Sequence, residues 1–142
     1  MDFDPDGINI LSTYKHGSIA LSHENNHLTM ENINWLGIKS KDLPKDGNTI
    51  RMQALLKLSS RDRHKANRML EREPFMEGGK ESEWRREIQV LLMLNFKAEI
   101  QLLEAQDGGL HTWLAGHLPW TSYHFLEIIL RHRKYILLEV LS

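Results

Sequence analysis

Asp2, Asp4 and Asp6 stand at alternate positions near the start of this 142-residue chain, and Gly7 closes the group. Alternate side chains of an extended segment point the same way, so carboxylates spaced like this can converge on one hard divalent cation, which prefers oxygen ligands. The same letters open an EF-hand loop, but that loop needs a bidentate Glu at its twelfth position and a helix leading into its first. Counted from Asp2, the twelfth residue is Thr13, and only Met1 precedes the acids, so the calcium reading fails. Lys15 and His16 follow at the end of a helix-like run, where cations suit either a phosphate ligand or the negative end of the helix dipole. His23 and His27 have the i, i+4 spacing that puts two imidazoles on one helix face, but no third ligand lies near them to complete a zinc site. No Ser/His/Asp arrangement is present.

The elements that must hold these residues can be read from spacing. Gly7 allows a sharp backbone turn after the acids. Ile8, Leu11 and Tyr14 then fall at three-residue steps on one helix face, and Gly17 ends that helix. Residues 32–38 mix β-formers with turn residues and predict a short buried strand, Ile33 to Ile38. Residues 39–57 read as irregular, with Pro44 and Asp46-Gly47 as turn signals. Ser59 can cap the next helix with Asp62 reaching back to it, and Ala66, Met69 and Leu70 form its apolar stripe before Pro74 stops it. Gly78-Gly79-Lys80 reads as a flexible joint. Ser82 then caps a longer helix carrying Trp84, Ile88, Leu91 and Leu92, expected to run to about Glu104 and to end before Gly108-Gly109. Leu110 to Leu118 is a short helical piece closed by Pro119.

Composition bounds the function classes. With 41% apolar residues, the chain has enough apolar surface for one modest core. The absence of cysteine excludes a disulfide framework and a thiolate zinc site. No apolar run approaches the roughly 18 residues needed to span a bilayer, and the acidic first residues do not resemble a signal peptide. The net charge of −1 is unevenly spread. Residues 1–32 carry five acids and one base, whereas residues 51–72 carry seven bases and two acids. An acidic, cation-seeking head beside a basic middle suits an enzyme that grips a phosphodiester, and a solvated helix face would also account for the basic middle.

Five blocks of the chain, in order, resemble one branch of Toprim proteins: the A subunit of type IIB topoisomerase (topoisomerase VI) and its meiotic relative that makes the double-strand breaks starting recombination. They are Asp2-x-Asp4-Pro5-x-Gly7-Ile8, Tyr14-Lys15-x-Gly17-Ser18, Trp35-Leu36-Gly37, Leu58-x-x-Arg61-Asp62-Arg63, and Trp84-Arg85-x-Glu87 with Lys97-Ala98-Glu99-Ile100. The Tyr-Lys-x-Gly-Ser turn, followed by His27-Leu28-Thr29, favours the meiotic branch. The resemblance implies an α/β fold, a partial Toprim (Rossmann-like) domain with C-terminal helices over residues 1–118, followed by a divergent tail, 119–142. It also implies Mg²⁺ held by Asp2 and Asp4, with Asp6 as a turn former or helix N-terminal acid, and contacts to double-stranded DNA by Lys15, His16, Arg61 and Arg63.

A nuclear location follows from the resemblance. So does partnership with a full-length homologue or with other meiotic break-forming proteins, and no membrane is implied. In this family a tyrosine on an upstream winged-helix domain attacks DNA, and a glutamate on an earlier Toprim strand completes the metal site. Neither has a counterpart here: Tyr14, Tyr123 and Tyr135 lie in other contexts, so no catalytic nucleophile is assigned. With only Met1 before Asp2, the strand that should carry the acids is expected to be cut away. Three classes of function stay open: a catalytically incomplete remnant of the DNA-breaking transesterase, a non-catalytic interaction module, and a gene fragment without function.

Overall fold

The structure, a computed structural model, describes residues 1–17, 29–30, 32–45 and 53–118. The chain falls into two compact units, Met1–Ala105 and Gln106–Ser142, each taken by itself below. The first helix, α1 (Pro5–His16), starts directly behind the acids. Asp4 is its N-cap, extended at φ −149° and ψ 162°. Pro5 occupies the first turn, where a missing N–H costs nothing. Gly7 therefore lies inside the helix and not at a sharp bend. Its glycine requirement is one of space, because a Cβ there would stand 2.9 Å from Asp4 Oδ1 and 3.1 Å from the Asp2 carbonyl oxygen. Gly17 ends α1 as expected, at φ 86°, with its N–H donating to the Thr13 carbonyl at 2.8 Å. The buried face differs from the expected one: Pro5, Ile8 and Ser12 face inward, while Tyr14 is 54% exposed.

Two three-residue strands make the sheet, β1 (Leu55–Lys57) and β2 (Phe96–Ala98), antiparallel with Leu56 opposite Lys97. Phe3 adds a bridge to Ala98, exchanging both backbone hydrogen bonds at 2.8 and 3.1 Å. The expected strand Ile33 to Ile38 is not formed. Its burial does alternate, with Trp35 and Gly37 buried and Asn34 and Leu36 exposed. A strand, however, needs a continuous ladder, and among the described residues a single rung exists. The Met1 ammonium donates to the Leu36 carbonyl at 2.9 Å and the Ile38 N–H donates to the Met1 carbonyl at 3.1 Å, which is the parallel pattern centred on Gly37. A Cβ at Gly37 would lie 2.4 Å from the Met1 carbonyl oxygen, so only glycine permits this approach. The stretch 39–57 is not wholly irregular, since it contains a 3-10 turn at Ser40–Asp42 as well as β1.

Among the described residues the first unit contains three further helices: α2 (Ser60–Leu70), α3 (Ser82–Leu94) and the short α4 (Gln101–Glu104). The capping box of α2 forms as its sequence requires: Asp62 N–H donates to Ser59 Oγ at 3.1 Å and Ser59 N–H donates to Asp62 Oδ2 at 2.9 Å. For α3 the N-cap is Glu81 and not Ser82, and its side chain is engaged elsewhere. Nor does α3 reach Glu104. Asn95 takes the left-handed conformation at φ 59° and ψ 27°, its N–H closes on the Leu91 carbonyl at 3.0 Å, and the chain turns into β2. The glycine pair before α3 forms a hydrogen-bonded turn instead of a loose joint. There the Gly79 N–H donates to Met76 O at 2.9 Å and the Glu81 N–H to Pro74 O at 3.1 Å.

The core runs between these helices and the sheet. Phe3, Ile8, Ile38, Ala66, Met69, Leu91, Leu102 and Leu103 are fully buried, and each large side chain among them contributes about 1.5–3 kcal/mol. Trp84 meets Trp35 edge to face, with centroids 5.8 Å apart and planes at 84°. Leu70 and Leu92, expected in the apolar stripes, are half-buried. In the second unit α5 (Gly109–His117) matches the expected helical piece, and Trp113 stacks on His117 at 4.1 Å. Residues 119–142, His23, His27, Tyr123 and Tyr135 lie outside the described residues. Among the described residues no helix is long and apolar enough to cross a membrane.

Candidate functional site

Asp2 and Asp4 flank Phe3, whose burial and pairing with Ala98 fix the extended backbone between them. With Phe3 turned into the core, both carboxylates face away from it. They share the lining of one open cleft of about 500 Å³ with Asp6, Gly7, Ile10, Tyr14 and Ile100. Each is held by one backbone amide: Ile100 N–H donates to Asp2 Oδ1 at 2.7 Å, and Gly7 N–H donates to Asp4 Oδ1 at 2.6 Å. The second oxygen of each takes no hydrogen bond from the described residues.

The electrostatics of this cleft are unfavourable to the Asp4 carboxylate. Burial, and then the charges of Asp2 and Asp6, push the Asp4 carboxyl above its usual range, against the Gly7 amide and Lys97, which favour the ionised form. A divalent cation would reverse that balance. Two carboxylates with free oxygens match the way Mg²⁺ is commonly held, by one or two acidic side chains with water and phosphate oxygens filling the other positions. They do not make a cage: among the described residues no group of three His, Cys, Asp or Glu side chains could enclose a metal. Asp6, in the first turn of α1 as expected, pairs with Lys65 of α2.

The four cations expected to face DNA part company. Lys15 and His16 both turn to one oxygen of the buried Glu81, at 2.7 and 2.8 Å, and Lys15 also lies 5.0 Å from the centre of the Trp84 ring. Arg63 braces the end of α3, donating to Asn95 Oδ1 at 3.1 Å and to the Leu58 carbonyl at 3.3 Å. Arg61 is exposed and makes no ion pair with the described residues. On the same face of α2, His64 and Arg68 are exposed three and seven positions further on, a spacing that aligns them with Arg61.

The remaining shared blocks prove to be scaffolding. Arg85 donates to the Leu70 and Phe75 carbonyls at 3.1 and 2.7 Å, satisfying groups left open where α2 ends. Glu87, buried, accepts from the Ser40 N–H at 2.7 Å and from its hydroxyl at 3.1 Å. Lys97 meets Asp62 at 3.1 Å, and Ala98 and Ile100 anchor Phe3 and Asp2. Sequence reasoning missed Ile100 as the anchor of Asp2, Lys65 as the partner of Asp6, and Glu81 as the acceptor for Lys15 and His16. All three are contacts between residues far apart in the chain, which spacing does not encode.

Residues 1–115 match the family model that describes the Toprim domain shared by Spo11 and the A subunit of topoisomerase 6. The chain is 37% identical over 113 residues to the meiotic recombination protein SPO11 of Homo sapiens, covering 72% of this chain and 25% of that protein. Similarity to the meiotic recombination protein SPO11-1 of Oryza sativa subsp. indica is 37% over 105 residues, covering 74% and 26%. The A subunit of DNA topoisomerase 6 from Arabidopsis thaliana is 37% identical over 105 residues, covering 74% and 23%. The chain thus spans about a quarter of the length of these relatives. No solved structure matches it significantly. A partial α/β Toprim domain with the Asp2–Asp4 pair beside β2, matched over residues 1–115, places the chain in the family of Spo11 and the topoisomerase 6 A subunit.

Proposed function

We propose that this chain supplies the Mg²⁺-holding, DNA-facing part of a protein that acts in meiotic DNA double-strand breakage. The observation that carries the reading is the placement of Asp2 and Asp4 on one short extended segment, lining one cleft, each with a carboxylate oxygen uncommitted among the described residues. When bound there, Mg²⁺ would polarise a scissile phosphate and offset charge on the departing oxygen. Asp2 and Asp4 would hold the ion, the amides of Ile100 and Gly7 fix the two carboxylates, and Arg61 is the expected cation best exposed to meet a phosphodiester backbone. Lys15, His16 and Arg63 reach DNA only through edges left open by their internal bonds.

None of the tyrosines in these 142 residues is assigned as the attacking one; the proposed partners are double-stranded DNA and a full-length homologue or another break-forming protein, and the place of action is the nucleus. On this reading the chain alone binds Mg²⁺ weakly and does not cleave DNA, because a metal site without its nucleophile cannot form the covalent adduct. The test is titration of the purified chain with MgCl₂, alongside incubation with supercoiled plasmid. Weak binding that disappears in Asp2→Asn and in Asp4→Asn, with no strand scission, is the expected result. A covalent protein–DNA adduct from the chain alone would overturn it.

A further inference from the structure

The reading of Asp2 and Asp4 as the metal-holding pair leaves one acid of the cleft unexplained. Asp6 lines the same cleft and stands two residues beyond Asp4, yet as the side chains stand the three acids do not form a group that could hold a metal together. Asp6 is held instead by Lys65, which reaches across from α2, the helix packed against α1. Its position on the second residue of α1 adds the helix dipole to that restraint. We propose that Lys65 is a positioning residue that keeps Asp6 out of the coordination sphere of a cation bound at Asp2 and Asp4. The inference rests on that metal reading and adds a consequence for it. A third carboxylate would tighten the ion, since affinity for a hard cation rises with the number of charged ligands. It would also occupy a position that a phosphate oxygen must take. With Asp6 held back, the ion is bound loosely and stays open to substrate.

The test is calorimetric titration of the full chain with MgCl₂. Lys65→Met, which keeps the length of the side chain and removes its charge, is expected to tighten binding roughly ten-fold. Lys65→Arg, which preserves the pair, should bind like the unaltered chain. In an Asp6→Asn background Lys65→Met should have no effect. Equal tightening in both backgrounds would mean that Lys65 acts only as a distant charge, and unchanged or weaker binding in Lys65→Met would mean that it restrains nothing. Either result overturns the inference. If Lys65→Met does not fold by circular dichroism, Asp6→Asn alone decides: a change of less than about three-fold supports the inference, and loss comparable to Asp2→Asn overturns it by making Asp6 a ligand already. Asp2→Asn serves as the separate control, because binding that survives it removes the metal reading itself.

Discussion

Asp4 and Asp62 both sit at the start of a helix, yet the fold treats them oppositely. Asp62, at the third position of α2, is 7% exposed; burial works against its charge, but the Ser59 amide and hydroxyl and Lys97 outweigh it and hold its carboxyl below the usual range. Asp4, the N-cap of α1, has one amide against burial and two neighbouring acids, and its carboxyl is pushed up. In the body of the chain Asp62, Glu81 and Glu87, buried carboxylates among the described residues, all have partners. At the head of the chain the ionised Asp4 carboxylate is kept at a cost to folding. This contrast between Asp4 and Asp62 is what supports the metal reading proposed for the cleft.

The largest effect that would sharpen this contrast is expected at Glu81. Glu81→Ala leaves Lys15 and His16 facing each other without their shared acceptor, and should cost about 2–3 kcal/mol, measured by urea unfolding. A loss below about half a kilocalorie, by contrast, would put Glu81 among surface ion pairs and erase the distinction between body and head.

Asp62→Ala removes one half of the α2 capping box and should cost about 1–2 kcal/mol at neutral pH. Because the folded carboxyl titrates below its unfolded value of about 4, its stabilisation is complete above that value. It is lost as pH falls through the lower folded one. The difference in unfolding free energy between Asp62→Ala and the unaltered chain should therefore shrink in acid, and a gap that persists at the lowest pH would show that the charge is irrelevant.

The smallest effect carries the opposite sign. Asp4→Asn keeps a side chain that caps α1 and removes the repulsion from Asp2 and Asp6, so stability at neutral pH should hold or rise by up to about 1 kcal/mol. Since the folded Asp4 carboxyl titrates above its unfolded value, acidification favours the fold as pH drops through the raised value, the reverse of Asp62. Addition of MgCl₂ should raise the melting temperature of the unaltered chain and leave that of Asp4→Asn unmoved. A destabilised Asp4→Asn would make Asp4 a second Asp62.

What could be read from the chain follows the range of the interactions concerned. The Ser59–Asp62 box and the Gly17 stop formed where their letters stood, because each depends on residues within four positions. The spacing of Asp2 and Asp4 likewise placed both in one cleft. The end of α3 was missed because Asn95 carries its signal in a left-handed φ, which asparagine can adopt but glycine announces more loudly. β1 and β2 are three residues each, too short for alternation to register. The expected strand at 33–38 has the right burial, but among the described residues its only ladder-like backbone pairing is with Met1. Tyr14 sits at helical spacing from Ile8 and still faces out, because the core lies against the Pro5–Ile8–Ser12 side.

The bond from the Ile100 amide to Asp2 spans 98 positions. Closing so long a loop carries an entropic cost that local helices do not face, and contacts of such separation tend to form late in folding. Helices α2 and α3 can form and dock within a stretch of the chain from 60 to 94, but the acids acquire their geometry only once residues 96–100 have come back to meet residues 1–4. Cation binding would therefore serve as a reporter on the last step of folding, appearing in a refolding experiment after helical signal has already recovered.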